Sequence, residues 1–279
     1  MNIACVALQP EDINVLTSFI NDSEIPPSPT ICWRVEGKYH LAEQLLAPLE
    51  EAFRQTPVAV ILFPQGDVAD ELATRLAWRL HGVAICRATA YYAAEGTVLK
   101  TVYGSALTAK MSVTASPLCL SLARSRRNVC AHFPGIKEET LIKPIPLRPT
   151  LSSPVNVVVE RPLLNSADRV LASGGGAVGI NTPRFARILG AEEGYSRQRV
   201  MAGGCDEQRM LGISGQQIAP SLCIVVGASG ASAFMAGISG SGFIVAINQD
   251  ATAPIFAAAD VGVTGDAADI LEALIAEIN

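Results

Sequence analysis

The stretch Ser221-Leu-Cys-Ile-Val-Val-Gly-Ala-Ser-Gly-Ala231 predicts a buried strand that ends in a tight turn and leads into a helix from Ser229. Leu222–Val226 is apolar without alternation, which is typical of a strand covered on both faces of a parallel sheet. Leu222–Ile238 is also the only candidate for a membrane span, but glycines and serines interrupt it. Because a span needs about 20 predominantly apolar residues, strand, turn and helix are favoured and no membrane insertion is expected.

The pattern continues around this stretch in the second half of the chain. We predict strands at Arg169–Ala172, Phe243–Ile247 and near Val261–Val263, a helix at Pro183–Leu189, and loops from there to about residue 220. Asp266 is the natural N-cap of a closing helix, because a side-chain oxygen at that position accepts from the first free N–H groups. The apolar residues predicted to share one face of that helix are Ile270, Leu271, Leu274, Ile275 and Ile278.

The first half also alternates between strands and helices. The predicted strands are Asn2–Leu8, Thr30–Val35, Val58–Phe63, Val83–Cys86, a hairpin of Tyr91–Tyr92 with Val98–Val102 around Gly96, Pro117–Ala123 and Val155–Val159. The predicted helices are Glu11–Ile20, Leu41–Arg54 and one that starts at Asp67 as N-cap and stops at Gly82 as C-cap glycine. Prolines within residues 134–154 exclude a central helix or strand and predict an extended crossover.

Together these elements predict an α/β protein of two domains, each with a mostly parallel sheet flanked by helices. Of the 23 glycines, 17 lie in residues 163–279, so we place the boundary near residue 164. The first domain, residues 1–164, is nucleotide-binding-like, and the second, residues 165–279, is Rossmann-like.

Charge and cysteine usage exclude several classes of function. The net charge is −5, and the one basic cluster, Arg124-Ser-Arg126-Arg127, is too small for a phosphate-backbone interface, so no nucleic-acid binding is expected. The seven cysteines form no C-x-x-C pair, which indicates core thiols in a reducing cytoplasm and no metal site. After Arg209 there is no Lys, Arg or His, so an anion bound there must be held by backbone groups.

Two kinds of glycine motif could bind a nucleotide. Gly174, Gly176 and Gly179 match G-x-G-x-x-G between a predicted strand and helix, but no acidic residue ends a second strand about 20 residues on. The tetrapeptide Gly227-Ala-Ser-Gly230 is better placed, because it joins the carboxyl end of a parallel strand to a helix. We therefore favour a phosphate site at this turn, and no catalytic residue is predicted.

These residues resemble a known family. The sequence 221–231, Val245-Ala-Ile-Asn248-Gln-Asp250, Ala253-Pro-Ile-Phe256, Ala259-Asp260-Val-Gly262 and Gly265-Asp266 are similar to the FAD-binding domain of the α subunit of electron transfer flavoproteins. The resemblance continues through Ser173-Gly-Gly and Gly194-Tyr-Ser-Arg197 and into the first domain at Ile61-Leu-Phe-Pro64 and Tyr103-Gly104. It implies an electron carrier that performs no bond chemistry, with FAD as cofactor.

The resemblance also implies which residues bind FAD. Ser196 and the turn of Ser229, Gly230, Ala231 and Ser232 would hold the pyrophosphate, while Asn248, Asp266 and Ala267 would hold the adenosine and ribityl regions. The remaining implied contacts to the flavin are Arg197, Leu211, Gly212, Ile213, Ser214, Ala233 and Phe234. The partners it implies are an electron transfer flavoprotein β-like subunit, a flavin dehydrogenase as donor and a quinone- or ferredoxin-linked acceptor.

Two departures from the family pattern bear on redox behaviour. The usual arginine after Ser173-Gly-Gly is replaced by Gly176, and Phe234 stands where the family has a histidine that donates to the flavin. Phenylalanine cannot donate a hydrogen bond, so we expect a shifted potential or a less stable one-electron-reduced state. Two alternatives stay open: an NAD(P)-dependent oxidoreductase that uses Gly174–Gly179, and a cofactor-free scaffold with a decayed site.

Overall fold

The computed structural model describes residues 2–23, 25, 30–103, 107–124, 136–147 and 164–278. They form two compact units, of which the first holds an eight-stranded sheet and the second a five-stranded sheet. Both sheets are mostly parallel and flanked by helices, which confirms the predicted fold class. The boundary predicted near residue 164 adjoins residues 148–163, which lie outside the described part, and it stays a prediction.

The first unit is a doubly wound sheet with one added hairpin. Its strands are β1 (Ile3–Ala7), β2 (Thr30–Val35), β3 (Val60–Phe63), β4 (Val83–Tyr92), β5 (Thr97–Val102), β6 (Leu107–Ser112), β7 (Leu118–Leu122) and β8 (Ile136–Ile142), and its helices are α1 (Asp12–Asp22), α2 (Glu43–Gln55) and α3 (Asp67–Arg79). The order is β6-β5-β4-β7-β3-β1-β2-β8. Only β4 and β5 pair antiparallel among the strand pairs whose register is described, as the predicted hairpin requires.

Both ends of α3 differ from the prediction. Gly66 occupies the N-cap position and Asp67 is the first helical residue. At the other end Gly82 donates its N–H to the carbonyl of Ala77 at 2.8 Å, and His81, with φ 54°, takes the left-handed position expected of the glycine. Glycine is needed at 82 for a different reason, because a Cβ there would collide with the Pro117 carbonyl.

The proline-rich region was also predicted incompletely. β8 forms between Pro134 and Pro144, contains no proline itself, and pairs with β2 at the edge of the sheet. The strand predicted at Val155–Val159 lies outside the described residues.

The second unit contains β9 (Arg169–Ser173), β10 (Glu192–Tyr195), β11 (Leu222–Val226), β12 (Ile244–Asn248) and β13 (Val261–Thr264), with α4 (Thr182–Ile188), α5 (Arg197–Met201), α6 (Ser232–Ile238) and α7 (Ala267–Ile278). All its strand pairs are parallel, in the order β10-β9-β11-β12-β13. β11 lies at the centre, and apolar clusters cover both faces of the sheet, as the unbroken apolar run predicts.

Three details of this unit correct the sequence prediction. β10 and α5 lie in the stretch predicted as loop. The sequence did not indicate the strand β10 because it is short and begins with two glutamates. α6 begins at Ser232 and not at Ser229. In α7 Leu271 and Ile275 are buried, whereas Ile278 is 61% exposed and does not join the apolar face. Asp266 does cap α7, accepting from the N–H groups of Ala268 and Asp269.

Among the described residues, no helix combines the length and the apolar character that crossing a membrane would require.

Candidate functional site

The order of the strands in the second sheet creates a crevice at their carboxyl ends, which we call the carboxyl edge of the sheet. β9 has β10 on one side and β11 on the other, so the connections after β9 and β11 leave the sheet in different directions. In open parallel sheets, ligands bind at such a switch point, outside the carboxyl ends of the strands. The loops that begin at Gly174 and Gly227 lie at this point.

The turn after β11 presents a row of free N–H groups. Its carbonyls are bound from the protein side: Ala228 O accepts from Asn248 Nδ2 at 2.9 Å, and Ser229 O accepts from Ile255 N at 3.0 Å. Ala231 O accepts from the first turn of α6. By contrast, the N–H groups of residues 229–233 have no acceptor among the described residues, and most of these residues are exposed. Such consecutive N–H groups form an anion-binding nest that needs no cation.

Glycine is required where this turn touches its neighbours. Gly230 has φ 87°, and a Cβ there would lie closer than 3.0 Å to the Ile255 nitrogen. Gly227 has φ 61°, and its Cβ would meet the Gly176 carbonyl carbon at 2.6 Å. The turn is therefore held in one conformation by backbone contact on two sides.

In the literal G-x-G-x-x-G motif, by contrast, two of the glycine N–H groups are paired within the protein. Gly174 N–H donates to Val226 O at 2.7 Å, and Gly176 N–H donates to Gly227 O at 2.8 Å. These donors join the two loops and are not available to a pyrophosphate. The adjacent Ser173, at the end of β9, is fully buried, and its hydroxyl has no hydrogen-bond partner among the described residues. An orphaned buried hydroxyl at the crevice suits a polar ligand group.

Ser196 and Arg197 follow β10 at the same edge. The Ser196 N–H donates to Ser173 O at 2.9 Å, and its hydroxyl caps α5 by accepting from Arg199 N at 3.2 Å. Ser196 is buried, whereas Arg197 is exposed and its guanidinium forms no ion pair or hydrogen bond with a described residue. A permanent positive charge is therefore available at this end of the sheet.

The segment Leu211–Ser214 crosses from β10 to α6. Leu211 N–H donates to Tyr195 O at 2.8 Å, and Ile213 N–H donates to Ala233 O at 2.8 Å. Gly212, with φ 139°, passes close to the Ala233 carbonyl, while Ile213 and Ser214 are exposed. The segment thus brings Ser214 to the carboxyl edge between the other predicted site residues.

Asn248, Asp266 and Ala267 lie at the far end of this edge. Asn248 Oδ1 accepts from Asp250 N, so both ends of its amide are bound within the protein. The Asp266 carboxylate caps α7 and also accepts from Gln249 Nε2 at 3.0 Å. The Ala267 side chain is buried in the core. These three residues therefore shape the far end of the carboxyl edge, and of the three only Asp266 is exposed.

Phe234 lies in the hydrophobic core of the second unit. It is 6% exposed and belongs to the hydrophobic cluster that contains Leu211, Val225 and Ile238. Its ring therefore fills the core under the start of α6.

Sequence reasoning missed Arg209 and its surroundings. The Arg209 side chain is 5% exposed and pairs with Glu192 at 2.5 Å. Nearby, burial first and then the negative charge of Glu193 raise the pKa of Tyr195 to about 12. The available signal was that Arg209 is the last basic residue before a long stretch without cations.

The predicted residues therefore meet along the carboxyl edge of one sheet. The free N–H groups of 229–233, the unpaired Arg197 and the orphaned Ser173 hydroxyl fit a dinucleotide such as FAD, whose phosphates need donors and whose ring system gains from a nearby cation.

Comparisons with known proteins agree with this arrangement. Residues 163–239 match the family model described as the electron transfer flavoprotein FAD-binding domain, so the predicted cofactor is the one for which the matched family is named. YgcQ of Escherichia coli K12, which its name assigns provisionally to the electron transfer flavoprotein subunits, is 44% identical over 100% of this chain and 99% of its own length.

Two other relatives extend the match. The electron transfer flavoprotein subunit alpha of Syntrophomonas wolfei is 30% identical over 84% of this chain and 76% of its own length. The protein FixB of Bradyrhizobium diazoefficiens is 31% identical over 65% of this chain and 50% of its own length. Sequence motifs, sheet order and whole-length similarity thus agree, and the chain belongs to the electron transfer flavoprotein α subunit family.

Proposed function

We propose that this chain is the α-like subunit of an electron transfer flavoprotein that binds FAD and forms a heterodimer with a β-like subunit. It would accept electrons from a flavin dehydrogenase and pass them to a quinone- or ferredoxin-linked acceptor, without bond chemistry on a substrate. The observation that carries the proposal is the row of free N–H groups at residues 229–233, which lies at the switch point of the sheet. A cytoplasmic location stays a prediction.

The residues of the site have separate roles in this proposal. The N–H groups of Ser229–Ala233 and the hydroxyl of Ser196 would hold the pyrophosphate, and Arg197 would place its charge at the ring system. Ser214 would lie beside the reactive edge of the ring. FAD, when bound, supplies the reversible uptake of electrons. The protein supplies orientation and an environment of fixed dipoles in place of water.

Phe234 supports a further property of the site. Because it is buried and has no donor, it offers no hydrogen bond to negative charge on the ring. Arg197 is then the main source of electrostatic stabilisation, and we expect a flavin potential that depends strongly on this one residue. Arg197→Met should lower the potential by destabilising the reduced anionic ring, and spectroelectrochemistry of the bound flavin would measure it.

The visible spectrum of the chain co-purified with its β-like partner tests the main proposal. Flavin absorbance in near-equal amount to protein would support it. A stable colourless complex that takes up no added FAD would refute it and favour the scaffold. Tight NAD binding without flavin would favour the oxidoreductase, although the paired N–H groups of Gly174 and Gly176 argue against that alternative.

A further inference from the structure

Arg209 is the most deeply buried arginine among the described residues of the second unit. We propose that Arg209 is a positioning residue: its guanidinium fixes the segment Leu211–Ser214 along β10 and so sets where Ser214 meets the cofactor. The inference rests on the proposed function, because it concerns the geometry of the same site.

The contacts of Arg209 are specific. Its Nε donates to the backbone carbonyl of Glu193 at 2.8 Å, and its Nη2 pairs with the Glu192 carboxylate at 2.5 Å. Burying a guanidinium is costly unless it is paired and hydrogen-bonded, so the side chain has little freedom to adopt another position. The Arg209 side chain therefore binds both the main chain and a side chain of β10.

These contacts continue the hydrogen bonding of the sheet. Glu193 O accepts from the Arg209 side chain, and two residues later Tyr195 O accepts from Leu211 N at 2.8 Å. Met210 lies between them and forms a parallel bridge with Tyr195. Residues 209–211 thus run along the outer edge of β10 as a partial strand, and the first hydrogen bond of this strand to β10 comes from the Arg209 side chain.

The C-terminal end of the segment Leu211–Ser214 is held by other hydrogen bonds. Ile213 N–H donates to Ala233 O at 2.8 Å, and Gln216 N–H donates to Met210 O at 2.7 Å, which closes the loop on itself. Ile213 and Ser214 are exposed between these two anchors. Because one residue of strand spans about 3.3 Å, a slip of one position at the Arg209 end would move Ser214 out of hydrogen-bond reach of a bound ligand.

The test uses the complex with the β-like partner and compares Arg209→Lys with Arg184→Lys. Lysine keeps the charge, but its single ammonium cannot reproduce the two-sided contact with Glu193 O and Glu192. Arg184 is a matched control, since it pairs with Glu272 at an exposed position in the same unit. The measurements are the FAD dissociation constant, the visible-region circular dichroism of the bound flavin at saturation, and the unfolding midpoint.

We expect Arg209→Lys to raise the FAD dissociation constant by about 10- to 100-fold, as expected for loss of a charge-assisted hydrogen bond that the bound state needs. It should also change the dichroism of the flavin that remains bound, because the ring environment is rearranged. Arg184→Lys should leave both unchanged.

An Arg209→Lys complex with a lower unfolding midpoint, but with the dissociation constant and dichroism of the unaltered protein, would show that Arg209 serves stability alone and overturn the inference. If this variant does not fold, Glu192→Gln decides by the same two readouts: a change supports the inference, and no change overturns it. An unaltered complex that takes up no FAD refutes the proposed function itself, and the inference then falls with it.

Discussion

The hydrogen bond from Asn248 to the turn after β11 offers the sharpest test of where the cofactor binds. Asn248 Nδ2 donates to the carbonyl of Ala228, a residue that is 4% exposed. Asn248→Ala removes the donor and leaves a buried acceptor without a partner. A net hydrogen bond contributes about 1 kcal/mol, and an unsatisfied buried group costs about 1–3 kcal/mol, so we expect a loss of about 1–2 kcal/mol in the free energy of unfolding.

Part of this free energy should appear in FAD binding if the N–H groups of 229–233 hold the cofactor. The hydrogen bond from Asn248 to Ala228 keeps the turn in the conformation in which those groups point outward. The apparent affinity falls with the population of that conformation, so 1–2 kcal/mol corresponds to a rise of at most about 5- to 30-fold in the dissociation constant. Fluorescence titration of the complex with FAD measures it.

Ser221→Ala is the matched control. The Ser221 hydroxyl donates to Asp168 at 2.6 Å, at the amino end of β11 and thus at the opposite edge of the same sheet. It should lower stability by about 0.5–1.5 kcal/mol and leave FAD affinity unchanged. The reasoning is refuted if Asn248→Ala loses stability like this control but binds FAD as tightly as the unaltered complex.

Three further predictions concern the second unit. Gly230→Ala should cost about 1–3 kcal/mol from its positive φ alone, and more from the collision with the Ile255 nitrogen, which a urea titration would detect. Asp266→Ala removes the cap of α7 and should cost about 1 kcal/mol, seen as a lower thermal midpoint. Burial raises the pKa of the Cys223 thiol to about 12, so raising the pH from 7 to 9 should speed alkylation of the half-buried Cys205 but leave Cys223 unmodified, as peptide mass spectrometry would show.

The sequence alone determined the architecture and indicated where a cofactor site is expected. Unbroken apolar strands such as Leu222–Val226 need cover on both faces, and that requirement predicts a parallel sheet before any contact is known. The preference for Gly227–Gly230 over Gly174–Gly179 also came from local pattern. Short or polar elements escaped prediction: β10 begins with two glutamates, and its apolar partners on the outer side, Met210 and Leu211, are distant in sequence.

What only the tertiary structure decided is which donors remain free. The sequence does not show whether a backbone N–H group is paired: those of Gly174 and Gly176 are paired with the neighbouring loop, whereas those of residues 229–233 have no acceptor among the described residues. In the same way, the burial of Phe234 and the hydrogen bond of Arg209 to β10 depend on segments that are distant in sequence and adjacent in the fold. Hydrogen bonding and burial are properties of spatial neighbours, so a sequence can specify the groups but only the fold decides which of them are left for a ligand.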